Sequence, residues 1–113
     1  MLAALGGMVL VGCGAGGGAG GSATQAGDDL FTAQGCGGCH TLAQAGSTGT
    51  VGPDLDQALR GRKPAFIRES IVQPGARVAP GFSDNLMPRD YGSRLSSEEL
   101  EQLVDYLART AGR

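Results

Sequence analysis

The sequence contains no tryptophan, one histidine, two tyrosines and three phenylalanines among 113 residues. A site built on two histidines of one chain is therefore excluded. A positive surplus is also missing: 9 Lys+Arg stand against 11 Asp+Glu, a formal charge of −2. A general nucleic-acid binder carries a basic excess, so that class is set aside. No run approaches the roughly 20 apolar residues that a membrane-spanning helix needs. No stretch alternates apolar and polar residues like a half-buried strand, so an all-α class is expected. Glycine, by contrast, is abundant: 21 in all, ten of them before residue 28. The length allows one domain. A domain this small buries a limited core and often needs a disulfide, metal or cofactor to complete it.

The chain divides by composition. Residues 1–12 are apolar and uncharged and run into Leu10-Val11-Gly12-Cys13. They have the apolar region and small-residue end of a signal peptide but not its basic start. Leu-Val-Gly-Cys resembles the bacterial lipoprotein signal, in which the cysteine is lipidated and becomes the new N-terminus, so Cys13 is the expected lipidation site. The missing basic residues suggest a start codon further upstream. Residues 13–27 read as a lipid-anchored, Gly/Ala/Ser-rich flexible linker, spanning roughly 20 Å root-mean-square. Residues 28–113 form the expected domain. Asp28 or Asp29 is placed to cap a short helix carrying Leu30 and Phe31 toward Gly35. Asp54–Arg60 reads as a short helix with Gly61 as its stop. Pro64 suits the first turn of another helix, which Pro74 ends. The stretch 73–94 holds Pro74, Pro80 and Pro88 and reads as loop. Ser96 and Glu99 form a capping box, with Leu95 and Leu100 at the staple positions. Leu100, Leu103, Val104 and Leu107 then make one apolar stripe.

Cys36-Gly37-Gly38-Cys39-His40 carries the chemistry. C-x-x-C-H reads as c-type haem attachment. Two thiols at that spacing add to the two haem vinyl groups as thioethers, and the next residue offers an imidazole to the iron. The glycines let the backbone approach the porphyrin without a side-chain clash. The alternatives are weaker. A zinc site wants four ligands, and beyond Cys36, Cys39 and His40 only Cys13 remains, across the linker. A thioredoxin-like dithiol belongs beside a βαβ pattern, which is absent. A plain disulfide leaves His40 unexplained.

His40 is the single histidine, so the sixth iron ligand must be methionine, a weaker donor, water or nothing. Met1 and Met8 lie in the leader, which leaves Met87, between Leu86 and Pro88, as the domain's sole methionine. Pro88 biases Met87 toward an extended backbone. Core filling is the other use of a lone methionine.

Residues 28–113 resemble a class I c-type cytochrome. Leu30-Phe31 precedes Cys36–His40, Gly52-Pro53-Asp54-Leu55 matches the family's Gly-Pro-x-Leu segment, Leu86-Met87-Pro88 matches its Met-Pro loop, and a terminal helix carries Leu103, Tyr106 and Leu107. The order is similar to small bacterial lipoprotein cytochromes and to the cytochrome domain fused to some haem-copper oxidase subunit II chains. The resemblance implies three to five short helices and long loops around one covalent haem c. It implies that Cys36 and Cys39 attach the haem, that His40 and Met87 are axial ligands, and that the Pro53 carbonyl accepts from His40 Nδ1–H. It also implies that Phe31 and Gly35 cross the last helix near Tyr106 and Leu107, the glycine permitting close approach. Arg89 and Tyr91, after the Met loop, are candidates to contact a haem propionate, with water the alternative partner for Arg89.

The expected function is one-electron transfer without enzymatic turnover. With both axial positions taken, substrate has no open site, and no second histidine is present to act on peroxide. The tether points to membrane partners, a quinol-oxidising donor and a terminal oxidase acceptor, with a monomeric chain anchored on the extracytoplasmic face. A relay subunit of a larger oxidase is the alternative. Arg60, Arg62 and Lys63 form either a docking patch or a solvated helix end.

Overall fold

The computed structural model describes residues 19–113, and their side chains from residue 23 onward. The expected leader, the Cys13 lipidation site and the linker up to residue 18 lie outside the described residues. Five α-helices follow in order: α1 (Ala19–Ala33), α2 (Leu55–Ala58), α3 (Pro64–Val72), α4 (Tyr91–Arg94) and α5 (Ser97–Thr110). Three-residue 3₁₀ turns occupy Cys36–Gly38, Ala43–Ala45 and Pro74–Ala76. The architecture is helical with long loops, as expected. One addition is a minimal antiparallel ladder, β1 (Thr41–Leu42) on β2 (Ser47–Thr48), too short to leave an alternation in the sequence.

Three boundaries differ from the sequence reading, the third being the end of α2. Helix α1 begins at Ala19, so residues 19–27 are helical rather than flexible linker, and neither Asp28 nor Asp29 is a cap. Packing overrides the poor helix propensity of this glycine-rich stretch. Gly27 is buried against α5: a β-carbon there would lie 2.8 Å from Tyr106 Cγ and 2.9 Å from the Gln102 carbonyl. Asp28 accepts a hydrogen bond from Tyr106 Oη at 2.8 Å, and Phe31 meets the Tyr106 ring edge-on with centroids 6.2 Å apart. The close-approach glycine of the helix crossing is thus Gly27. Gly35 instead ends α1 with φ 73°, and a β-carbon there would meet nothing. The second difference lies in the stretch 73–94. It contains the Pro74–Ala76 turn and α4, which buries Tyr91.

Elsewhere the local signals hold. Asp54 caps α2 by accepting from the Asp56 amide, but the helix ends at Ala58 rather than Arg60, and the left-handed Gly61 follows a short turn beyond it. Pro64 opens α3, which buries Ile67 and Ile71. The Ser96/Glu99 capping box is formed with both bonds present, at 3.1 and 2.9 Å. Helix α5 buries Leu103, Val104, Tyr106 and Leu107, with Leu100 partly buried at the edge. Phe31, Leu42, Ile67, Leu103 and Val104 are the largest fully buried side chains. Asp56 ties the ends together, accepting from the Ala43 amide at 2.9 Å and from the Gly112 amide at 2.8 Å.

Candidate functional site

Helix α1 stops because Gly35 turns left-handed, which a residue with a β-carbon adopts only with strain. The chain then winds through Cys36–Gly38, and the Cys39 and His40 amides both donate to the Cys36 carbonyl, at 3.2 and 3.0 Å. This turn fixes the two thiols and the imidazole relative to one another. Gly37 serves it from the protein side: a β-carbon there would meet Ser47 Cβ at 2.9 Å and Phe31 Cε1 at 3.2 Å. A β-carbon on Gly38 would meet nothing within 4 Å.

His40 is held twice. Its Nδ1 lies 2.7 Å from the Pro53 carbonyl oxygen. A carbonyl only accepts, so Nδ1 carries a proton, and Nε2 is the ring nitrogen left for another partner. Gly52 covers the ring; a β-carbon there would come within 2.6 Å of His40 Cε1. The Gly52 amide also donates to the Cys39 carbonyl at 2.7 Å, locking this loop onto the cysteine turn.

Cys36, Cys39, His40, Pro53 and Met87 all line one cavity of about 720 Å³. Leu59, Phe66, Ile67, Ile71, Leu103 and Leu107 supply much of its wall, so it is predominantly apolar. Its volume lies in the usual range of cofactor sites, roughly 300–1,000 Å³. Burial pushes the Cys36 thiol up to about 11. A dithiol redox catalyst needs the opposite shift. Among the described residues, no group of three His, Cys, Asp or Glu side chains gathers as a metal cluster. The donor set therefore suits a porphyrin with two thiol attachment points better than zinc or dithiol chemistry.

Three arginines enter the site that spacing did not single out for it. The Arg62 and Arg77 guanidiniums lie over the Phe66 ring, at 4.5 and 5.0 Å, and Arg94 lies over Tyr91 at 4.4 Å. All three line the cavity. Cation–π contact, with half-buried Phe66 for two of them and buried Tyr91 for the third, explains how these charges rest beside an apolar wall. The available signal was Arg62 one helical turn before Phe66. Arg60 and Lys63 are exposed and do not line the cavity.

Arg89 has partners that the sequence did not point to. It does not line the cavity; Nη2 donates to the Asp84 carbonyl at 2.7 Å, and the guanidinium lies against Gly75. Tyr91 does line the cavity, but its hydroxyl is 3.2 Å from the Gln34 carbonyl, to which it donates.

A conserved-family model described as cytochrome c matches residues 24–111. A search of curated proteins returns no match. Among solved structures, the chain is similar to the c-type cytochrome SorU from Sinorhizobium meliloti. The two share 26% identity with a TM-score of 0.62, over 81% of this chain and 94% of that one. The protein belongs to the cytochrome c family. Its function is accordingly electron transfer through covalently bound haem c, and the Cys36–Cys39 segment fits that attachment.

Proposed function

We propose that the chain is a one-electron carrier whose haem iron is held by His40 and Met87, and that it works from a lipid anchor at Cys13. The observation that carries the ligand assignment is the His40 geometry. Nδ1 is engaged by Pro53 at 2.7 Å, leaving Nε2 for a metal, on a ring that shares its cavity with Met87. Such outer contacts orient a ligating imidazole and raise its basicity. Met87 is the only methionine of the cavity wall, and it is partly buried against the core.

Bound haem c supplies the ferric/ferrous couple. The protein holds a proton at His40 Nδ1, excludes water with the aliphatic wall, and offers a thioether, which favours a higher potential than a second imidazole. With His40 and Met87 both holding the iron, no site would remain there for a substrate, which favours a carrier over a catalyst. Leu10-Val11-Gly12-Cys13 supports the anchor and hence the extracytoplasmic membrane face. A quinol-oxidising complex as donor and a terminal oxidase as acceptor are the partners such a tether favours.

The test of the ligand set is Met87→Ala. Haem stays attached through both thioethers, carbon monoxide binds the ferrous variant more readily, and the weak red band of methionine–iron ligation is lost. An unchanged spectrum and unchanged carbon monoxide binding would make Met87 core filler.

A further inference from the structure

The segment that carries Met87 is poorly tied by its own backbone. Among the described residues, the segment's backbone makes one tight turn at Asp84–Asn85, and no backbone–backbone hydrogen bond ties residues 83–89 to the rest of the protein. The preceding turn, Phe82 amide to Ala79 carbonyl at 3.2 Å, and the first bond of α4, Ser93 amide to Asp90 carbonyl at 3.1 Å, lie on either side. Yet a methionine that ligates iron must be delivered to one place. Arg89 bridges the gap. Its Nη2 donates to the Asp84 carbonyl at 2.7 Å, closing the chain from Asp84 to Arg89 with Met87 inside. The same guanidinium docks on the 3₁₀ turn after α3: a β-carbon at Gly75 would lie 3.0 Å from Nη1 and 3.1 Å from Nη2. The Asp84 carboxylate is 4.0 Å away and both side chains are more than half exposed, so that ion pair contributes little. The charge-assisted bond to the carbonyl and the flat seat on Gly75 are the stronger contacts.

We propose that Arg89 is a positioning residue for Met87: it clasps the loop closed and seats it on Gly75, and so governs how readily the thioether leaves the iron. This rests on Met87 being the axial ligand. Lysine in place of Arg89 keeps the charge and the carbonyl bond but not the planar fork, so it restores the clasp only in part. An added methyl at Gly75 lifts the guanidinium by a few tenths of an ångström without touching the cavity lining. Gly75 has no positive φ, so alanine fits its backbone.

The experiment titrates neutral imidazole into the ferric holoprotein and follows the red band, in wild type, Arg89→Ala, Arg89→Lys, Gly75→Ala, Met87→Ala and the Met87→Ala/Arg89→Ala pair. A neutral probe removes the direct charge effect of losing an arginine. Arg89→Ala is expected to bind imidazole on the order of fivefold more tightly, the size of one charge-assisted bond at a partly exposed site. Arg89→Lys and Gly75→Ala fall between it and wild type, with a weakened band. The double variant matches Met87→Ala, because the clasp acts only through the methionine. If Arg89→Ala binds imidazole as wild type does while Met87→Ala binds it tightly, the clasp is rejected and the ligand stands. If the double variant binds more tightly than Met87→Ala, Arg89 acts by general loosening and the proposal fails. If Met87→Ala itself matches wild type, the ligand assignment falls first.

Discussion

Gly52 occupies a place where a methyl group would strike the His40 ring, 2.6 Å from Cε1. That single distance couples the Gly-Pro-x-Leu segment to the histidine more tightly than the Pro53 hydrogen bond alone. Gly52→Ala must push the ring or the loop aside, lengthening the 2.7 Å contact from Nδ1 to the Pro53 carbonyl. Overpacking of this kind costs about 1–3 kcal/mol. A urea titration of the holoprotein is expected to show that loss at unchanged m-value, and an unchanged midpoint would mean that the loop yields freely. At this scale much of the site was legible. Cys36, Cys39, His40 and Met87 announce themselves by type and spacing, because few chemistries need two thiols and an imidazole in five residues. The partners of Arg89, the Asp84 carbonyl and Gly75, were not legible because position in the chain says nothing about which way a long side chain lies. The neighbours of Gly37 were hidden in the same way, since Ser47 is remote in sequence and Phe31 lies in the preceding helix.

Helices α1 and α5 meet without a side chain between Gly27 and Tyr106, and the Tyr106 hydroxyl then reaches Asp28. Tyr106 is 3% exposed. Burial, with the Asp28 hydrogen bond behind it, raises the Tyr106 pKa above the ordinary tyrosine value. A raised pKa in the folded state means that the fold favours the protonated phenol. The stabilisation is complete below the ordinary value of about 10 and is lost as pH rises beyond it. Wild-type stability is therefore expected to hold up to about pH 10 and to fall as pH rises above that ordinary value. Tyr106→Phe should be less stable at pH 8 by about 1 kcal/mol, having lost one hydrogen bond, and should lose less thereafter. Equal slopes for both proteins would show that another group governs the alkaline limb. Capping and stop signals were readable in α2, α3 and α5, since Asp54, Pro64 and the Ser96/Glu99 pair act within one turn. The start of α1 was not readable. Gly27 fits the helix because of what α5 presents to it, and local propensity carries no record of that partner.

As a whole, the molecule divides labour along the chain: residues 28–113 enclose the cavity, while Cys13 stands far from it in sequence. Two acyl chains suffice for stable anchoring, at about 0.8 kcal/mol per buried CH₂. Cys13→Ser is expected to move the haem protein from the membrane fraction to the soluble one without altering its visible spectrum. Wild type that is already soluble with an unmodified Cys13 would remove the anchor and leave the carrier intact. The all-α class was legible because no segment alternates and α2, α3 and α5 carry their own signals. The cavity itself was not, since its wall combines α2, α3, α5 and the Met87 loop. The central claim, a one-electron couple tuned by His40 and Met87, is tested most directly by a potentiometric titration of wild type and Met87→Ala. Both should give a reversible one-electron transition, with the variant at a lower potential because the thioether no longer favours ferrous iron. Equal potentials, or no reversible one-electron transition in wild type, would contradict it.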